Sequence, residues 1–274
     1  MTIKSFNTAG PCLPNRYYLL PPLERLPEVT ALIDSNYYFV IHSPRQSGKT
    51  TFLNLLTNEI NSKNNYYALY CSLELLDGIQ DDYKSMKRLV SSINIALKFY
   101  EIPVLKKKAC KYESLPGMDD ESLMVQILLN TLCSDLDKEL VVFFDEADCL
   151  SYEAPLITFL RQIRLAYNSR SSAPNKIFPQ FVVLAGMRDI TTTDYLLRGR
   201  PDEGSRSLAS PFNIKKESLT LKNFTAKEIE ALYFQHTEES GQVFDQTVIN
   251  RVWYWSEGQP WLVNALAYEV IVND

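Results

Sequence analysis

Histidine is scarce: the chain carries two, His42 and His236, in 274 residues. Chemistry built on an imidazole base, or a metal site made of several imidazoles, has little to work with. Cysteine is thin and scattered. Cys12, Cys71, Cys110, Cys133 and Cys149 are odd in number, widely spaced and form no CxxC pair. That reads as a reducing cytoplasm, not as a disulfide framework or a zinc site. No apolar stretch approaches the ~20 residues of a membrane-crossing helix. The opening residues, MTIKSFNTAGPCLPN, hold polar side chains and prolines where a secretory leader needs an apolar segment. Positive charge is not in excess either: 28 Lys and Arg stand against 33 Asp and Glu, a net charge of −5. Coating nucleic acid by bulk charge is therefore not expected, although a local basic contact stays open.

What is present is a globular composition, 46% apolar and 22% charged. The length suits one large domain or two small ones. Residues 1–21 are rich in Pro, Asn and Gly and read as an extended arm; a short helix can follow within 21–33. NYYFVIH (36–42) is aromatic and β-branched, as a buried strand is. SPRQSGK (43–49) is a loop. TTFLNLLTNEI (50–60) sets Leu53, Leu56 and Ile60 at helical spacing. YYALYC (66–71) is a second strand. Residues 73–137 are helical in pattern, broken at Pro103 and at Pro116-Gly117. KKKACK (106–111) is the one dense basic cluster and reads as a solvated loop.

ELVVFFDEAD (139–148) is a continuous apolar run ending in acids, which suits a parallel strand buried on both faces. An amphipathic helix carrying Arg161 and Arg164 is expected over 153–168, and FVVLAG (181–186) is another buried strand. Residues 190–210 read as a mobile loop. Strands alternating with helices predict a parallel α/β sheet. From about residue 222 only helices remain. Thr225 and Glu228 fit a capping box opening a helix at 226–238. A second helix, about 245–257, stops at Gly258, and Pro260 opens a third. The expected division is an α/β core with its arm, 1–221, and a helical lid, 222–274.

The loop at 43–51 carries the chemistry. The phosphate-loop pattern is GxxxxGK[ST]. Gly48, Lys49 and Thr50 match it, and Ser43 stands where the first glycine belongs. Such a loop turns tightly so that its N–H groups face a phosphate, helped by the positive end of the following helix. Ser43, Pro44, Arg45, Gln46, Ser47, Gly48, Lys49, Thr50 and Thr51 are thus the expected nucleotide-binding stretch. Lys49 would reach the β- and γ-phosphates, and the Thr50 hydroxyl would ligate Mg²⁺. Some 95 residues on, Asp145 follows four apolar residues at a strand end, the Walker B arrangement. Its carboxylate would hold Mg²⁺, and Glu146 would be the base that polarises water. Residues 145–148 also spell DEAD, a helicase motif. The chain is too short for a second domain of that kind, so Asp148 reads as a cap or a structural hydrogen-bonder.

Arg188 ends the strand 181–186 and could sense the γ-phosphate or pair with Asp189 on the surface. Arg161, Arg164, Arg198, Arg200 and Arg206 read as surface charges. Tyr17 and Tyr18 in the arm, and Pro260 in the GQP turn, are candidates for the base; of these Tyr18 and Pro260 are taken as site residues.

Taken together, FNTAGPCLPNRYYLLPPLERL (6–26), YFVIHSPRQSGKTT (38–51), VVFFDEAD (141–148), LAGMRD (184–189) and GQPWLV (258–263) resemble a bacterial AAA-like ATP-binding protein allied to the STAND and AAA+ (ASCE) ATPases. The resemblance implies a P-loop NTPase fold: a three-layer α/β/α core, a parallel sheet in the order 5-1-4-3-2, and a C-terminal α-helical lid. It puts the γ-phosphate sensor on Arg188 and the base-contacting proline on Pro260. It implies Mg²⁺ as cofactor, ATP and ADP as ligands, a protein partner or self-association, and a cytoplasmic switch of slow turnover. No arginine finger can be assigned by motif. Other readings remain: a non-hydrolysing ATP/ADP-binding scaffold, a nucleic-acid-associated AAA+ ATPase and, ranked below them because Glu146 beside Asp145 suits water activation, a small-molecule kinase.

Overall fold

The computed structural model describes residues 3–35, 37–100, 115–151, 153–170, 178–189 and 214–273. The basic cluster 106–111 and Arg198, Arg200 and Arg206 lie outside them. The chain folds as two compact units. One, the sheet unit, comprises Ala31–His42 and Thr57–Leu219; the other, the helical unit, comprises Met1–Thr30, Ser43–Leu56 and Thr220–Asp274.

The sheet unit holds β1 (Tyr38–His42), β2 (Tyr66–Ser72), β3 (Glu139–Asp145), β4 (Phe181–Gly186) and β5 (Lys215–Thr220). Their order is β2-β3-β4-β1-β5, the 5-1-4-3-2 arrangement expected above, in a parallel sheet with helices on both sides. All seven residues of β3 but Glu139 are buried, and all six of β4 are. A strand covered on both faces loses apolar surface from every side chain, so it needs no alternation. Phe39, Phe143 and Tyr66 gather around Phe181, with ring centroids 6.2–6.3 Å from it.

The helices of this unit follow from their stripes and caps. Asp81 caps the helix Asp82–Phe99 by accepting from the Lys84 N–H at 2.8 Å. Leu89, Ile93 and Leu97 form its buried stripe. The helices Met124–Ser134 and Glu153–Ser169 pack with it. Gln162 ties this trio together: its Oε1 accepts from Val125 N at 2.8 Å and its Nε2 donates to Glu121 O at 2.9 Å.

The helical unit contains three helices after residue 225: α1 (Ala226–Ser240), α2 (Gln246–Ser256) and α3 (Pro260–Asn273). The Thr225–Glu228 capping box forms in both directions, at 2.7 and 3.2 Å. Gly241 closes α1 in the left-handed region. Glu257 and Gly258 are both left-handed after α2, which turns the chain for Pro260 to start α3. The arm is not loose. Phe6 and Tyr18 are 2% and 1% exposed, within a core that includes Tyr233, Phe244 and Val263. Ser5 and Tyr17 form a β-bridge, and the Gln235 amide bonds to both backbone groups of Leu19. The loop 43–48 and the first turns of αP (Lys49–Lys63) belong to this same unit.

Candidate functional site

The sheet sets the frame. Phe39 to His42 of β1 pair with Val183 to Gly186 of β4, and Val141 to Phe144 of β3 pair with Phe181 to Leu184. Read through β4, Phe144 stands level with Val40. The C-terminal ends of β1, β4 and β3 therefore emerge along one edge. From β3 to β1 is two strand spacings, about 10 Å. In open parallel sheets ligands bind at that edge.

β1 runs directly into the loop 43–48, which precedes αP. Ser43 and Ser47 are 1% and 2% exposed, and their hydroxyls are 2.6 Å apart. This bond spans the loop and gives the serine at the first-glycine position a structural job. Gly48 has φ +81° and Gln46 φ +60°, so the loop turns through two left-handed residues. Only the first is a glycine; the strain at Gln46 is of the kind that collects at binding loops. Lys49 is buried, 6% exposed, at the first position of αP. A 15-residue helix presents its positive end there. The Gln46 carbonyl accepts from Trp261 N at 3.4 Å, and Gln259 Nε2 donates to Gln46 Oε1 at 3.3 Å.

An apolar pocket opens beside this loop within the helical unit. Gly48, Thr51, Leu19, Tyr18, Pro260 and Asn264 are among its walls. Tyr18 contributes to the wall while its ring is committed to the core. Its hydroxyl lies 3.1 Å from His236 Nδ1 and donates to Glu239 Oε2 at 3.2 Å. Burial first, then the Glu239 carboxylate, pushes its phenol far above the usual range. Thr51 Oγ1 accepts from Cys12 N at 3.1 Å, which pins the arm to αP. Arg25 also borders the pocket, but its guanidinium lies 3.2 Å from Glu228 Oε1, 2.7 Å from Lys222 O and 4.5 Å from the Phe224 ring. Burial lowers its pKa, and Glu228 partly offsets this.

In the sheet unit, Asp145 is fully buried at the end of β3. Its Oδ2 accepts from Tyr70 Oη at 3.0 Å and its Oδ1 from Glu146 N at 2.9 Å. A carboxylate offers about four lone-pair sites, so accepting hydrogen bonds does not preclude a metal-ligand role. The oxygen donors fit Mg²⁺, a hard cation. Among the described residues no group of three or more His, Cys, Asp or Glu could cage a metal. An ion held through one carboxylate, one hydroxyl and a nucleotide's phosphates needs no such cage. Glu146, half-buried, adopts φ 56°, ψ 40°, which for a non-glycine residue costs of order 1–3 kcal/mol. Asp148 accepts from Met187 N and lies against Gly186, so it buttresses the β4 end as a structural hydrogen-bonder. Arg188, two residues past β4, is exposed. Asp189 pairs with Lys215 on β5.

No protein-family model matches this chain, and no curated protein matches it. Solved structures do. The ORC1 protein of Aeropyrum pernix, in complex with DNA, matches with a TM-score of 0.54 at 14% identity, over 96% of this chain and 64% of that one. The ORC2 protein of Aeropyrum pernix, in ADPNP–ADP complexes, matches at 0.52 and 16%, over 88% and 60%. Its ADP form gives 0.50 and 13%, over 90% and 60%. The likeness shows the fold. This chain spans less than two thirds of the length of those structures.

Two features of the site escaped the sequence. The Ser43–Ser47 bond was hidden because serine pairs leave no spacing signal. Asn264 in the pocket wall had one: it is the lone polar residue of the run PWLVNALA.

Proposed function

We propose that the chain is a Mg²⁺-dependent ATPase of the AAA+ kind, working as a slow nucleotide switch. The observation that carries this is the sheet order: β4 lies between β1 and β3, and β1 runs directly into a loop with a buried Lys49 and a left-handed Gly48. Lys49 and the loop amides of 43–51 take the phosphates. The Thr50 hydroxyl and the Asp145 carboxylate support Mg²⁺, which when bound neutralises charge between the β- and γ-phosphates. Glu146 orients the attacking water and takes its proton. Arg188 reports the γ-phosphate, and Tyr18 and Pro260 help enclose the base. Without an arginine donated in trans, worth ~10³–10⁵ in rate, the isolated chain turns over slowly. The likeness to ORC2 in ADPNP–ADP complexes supports nucleotide binding. The likeness to ORC1 in complex with DNA favours DNA as the partner to test first.

Calorimetry with Mg²⁺·ATP and phosphate release test the reading. Wild type binds, Lys49→Ala does not, and Glu146→Gln binds but no longer releases phosphate. Absence of binding by wild type sinks it. Binding with no turnover, unchanged by Glu146→Gln, leaves two readings, the scaffold function or an arginine donor supplied by a partner.

A further inference from the structure

Asp145 is held from the side by the neighbouring strand. The register sets Ser72 of β2 against Asp145 of β3, and Tyr70 against Phe143. Side chains two apart on a strand share a face, so Tyr70 and Asp145 stand on one face of the sheet, two residues or about 6.6 Å apart along it. A tyrosine is long enough to span that step, and its Oη donates to Asp145 Oδ2 at 3.0 Å. Glu146 N donates to Oδ1 at 2.9 Å. With a donor on each oxygen, the plane of this fully buried carboxylate is set. The tyrosine is itself braced. Its N–H donates to Tyr100 Oη at 3.2 Å, and the same oxygen is bonded by the Thr57 side chain of αP. Thr57 is fully buried. All of these residues belong to the sheet unit.

We propose that Tyr70 is a positioning residue, whose hydroxyl fixes the Asp145 carboxylate that would support Mg²⁺. This rests on the nucleotide reading above and adds a residue which that reading does not use. The kind of donor matters. A phenol is neutral, so it orients the carboxylate and leaves its negative charge for a cation. A lysine or arginine in its place would offset that charge. Groups that hydrogen-bond a metal's ligand change metal affinity by ~10–100-fold.

The test is calorimetry with a non-hydrolysable ATP analogue, in chelator and across a Mg²⁺ series, on wild type, Tyr70→Phe and Asp145→Asn. Tyr70→Phe keeps the ring and removes the donor. It should raise the Mg²⁺ concentration that half-saturates the metal-dependent gain in affinity by about tenfold or more, with affinity in chelator within about twofold of wild type. Asp145→Asn should raise it at least as far. Tyr70→Leu, also without a hydroxyl, takes its place if phenylalanine impairs folding, judged by circular dichroism. A merely structural tyrosine lowers both affinities together and leaves the half-saturating Mg²⁺ unmoved, and that result overturns the proposal. A folded Tyr70→Phe that matches wild type overturns it too. An unmoved Asp145→Asn overturns the metal role of Asp145 and Tyr70's with it, while the reading of the loop stands. Failure of wild type to bind the analogue with Mg²⁺ overturns the nucleotide reading and this inference together.

Discussion

Gly258→Ala is the sharpest probe of the helical unit. Gly258 has φ +74°, and a Cβ there would overlap the Phe224 carbonyl oxygen, 2.9 Å from its carbon and 2.8 Å from Trp253 Cζ3. Phe224 N also donates to Gly258 O at 2.7 Å, so the two backbones cannot separate without losing that bond. A left-handed alanine costs about 1–2 kcal/mol, the lost hydrogen bond about 1, and the overpacking about 1–3, so the sum is about 3–6 kcal/mol. That is a large share of the ~5–15 kcal/mol that holds a typical domain. Gly241→Ala is the control. It shares the backbone conformation, φ +79°, yet its Cβ meets nothing within 4 Å, so only the first cost applies. All three tryptophans, Trp253, Trp255 and Trp261, belong to the helical unit, so indole fluorescence in urea reports that unit alone. The Gly258→Ala transition should move to markedly lower urea, and Gly241→Ala should move by a third as much or less. Equal shifts for the two variants would refute the steric argument and leave only the backbone term.

Thr225→Ala removes one half of the capping box and should cost about 1 kcal/mol in the same fluorescence experiment. Gly186→Ala drives a methyl into the Asp148 carboxylate and displaces it from Met187 N; a loss of about 1–3 kcal/mol is expected by circular dichroism, and a neutral result would mean the Asp148 buttress is dispensable. Burial pushes the Cys71 and Cys133 thiols up. Burial and then the carboxylates of Asp77, Glu146, Asp148 and Glu74 push Cys149 up to about 11. Thiolate is the reactive form, so all three should resist alkylation at pH 8 until urea unfolds the chain, and mass spectrometry of early labelling at any of them would contradict this. Chelation of Mg²⁺ should abolish phosphate release, and re-addition should restore it; turnover in chelator would argue against the roles given to Thr50 and Asp145.

The central strands were legible because burial on both faces removes the need for polar positions, as in FVVLAG and LVVFFD. Caps were legible for a different reason: Thr225, Glu228, Gly258 and Pro260 act locally, through hydrogen bonds or φ within a turn. β5, KKESLT, was not. It is an edge strand with one buried residue, Leu219, and its charged residues gave no strand signal. The sheet order came from the likeness to a known family and not from periodicity, since crossovers leave no mark in hydrophobic spacing. The arm looked extended, but it doubles back through a turn at Leu13–Tyr17 and bridges Ser5 to Tyr17. Nothing in its composition told that Phe6 and Tyr18 would be among the most buried aromatics, because their partners lie far away in the chain.

That separation has a consequence for how the protein is made. Tyr18 and His236 are 218 residues apart, and the pocket draws walls from residues 12–25, 48–55 and 224–264. At synthesis rates of ~5–20 residues per second, the arm waits about 10–40 s on the ribosome for its partners to be translated. β1 to β4 are complete well before that. The nascent chain therefore holds its first strands early, and Phe6 and Tyr18 gain the partners that bury them last.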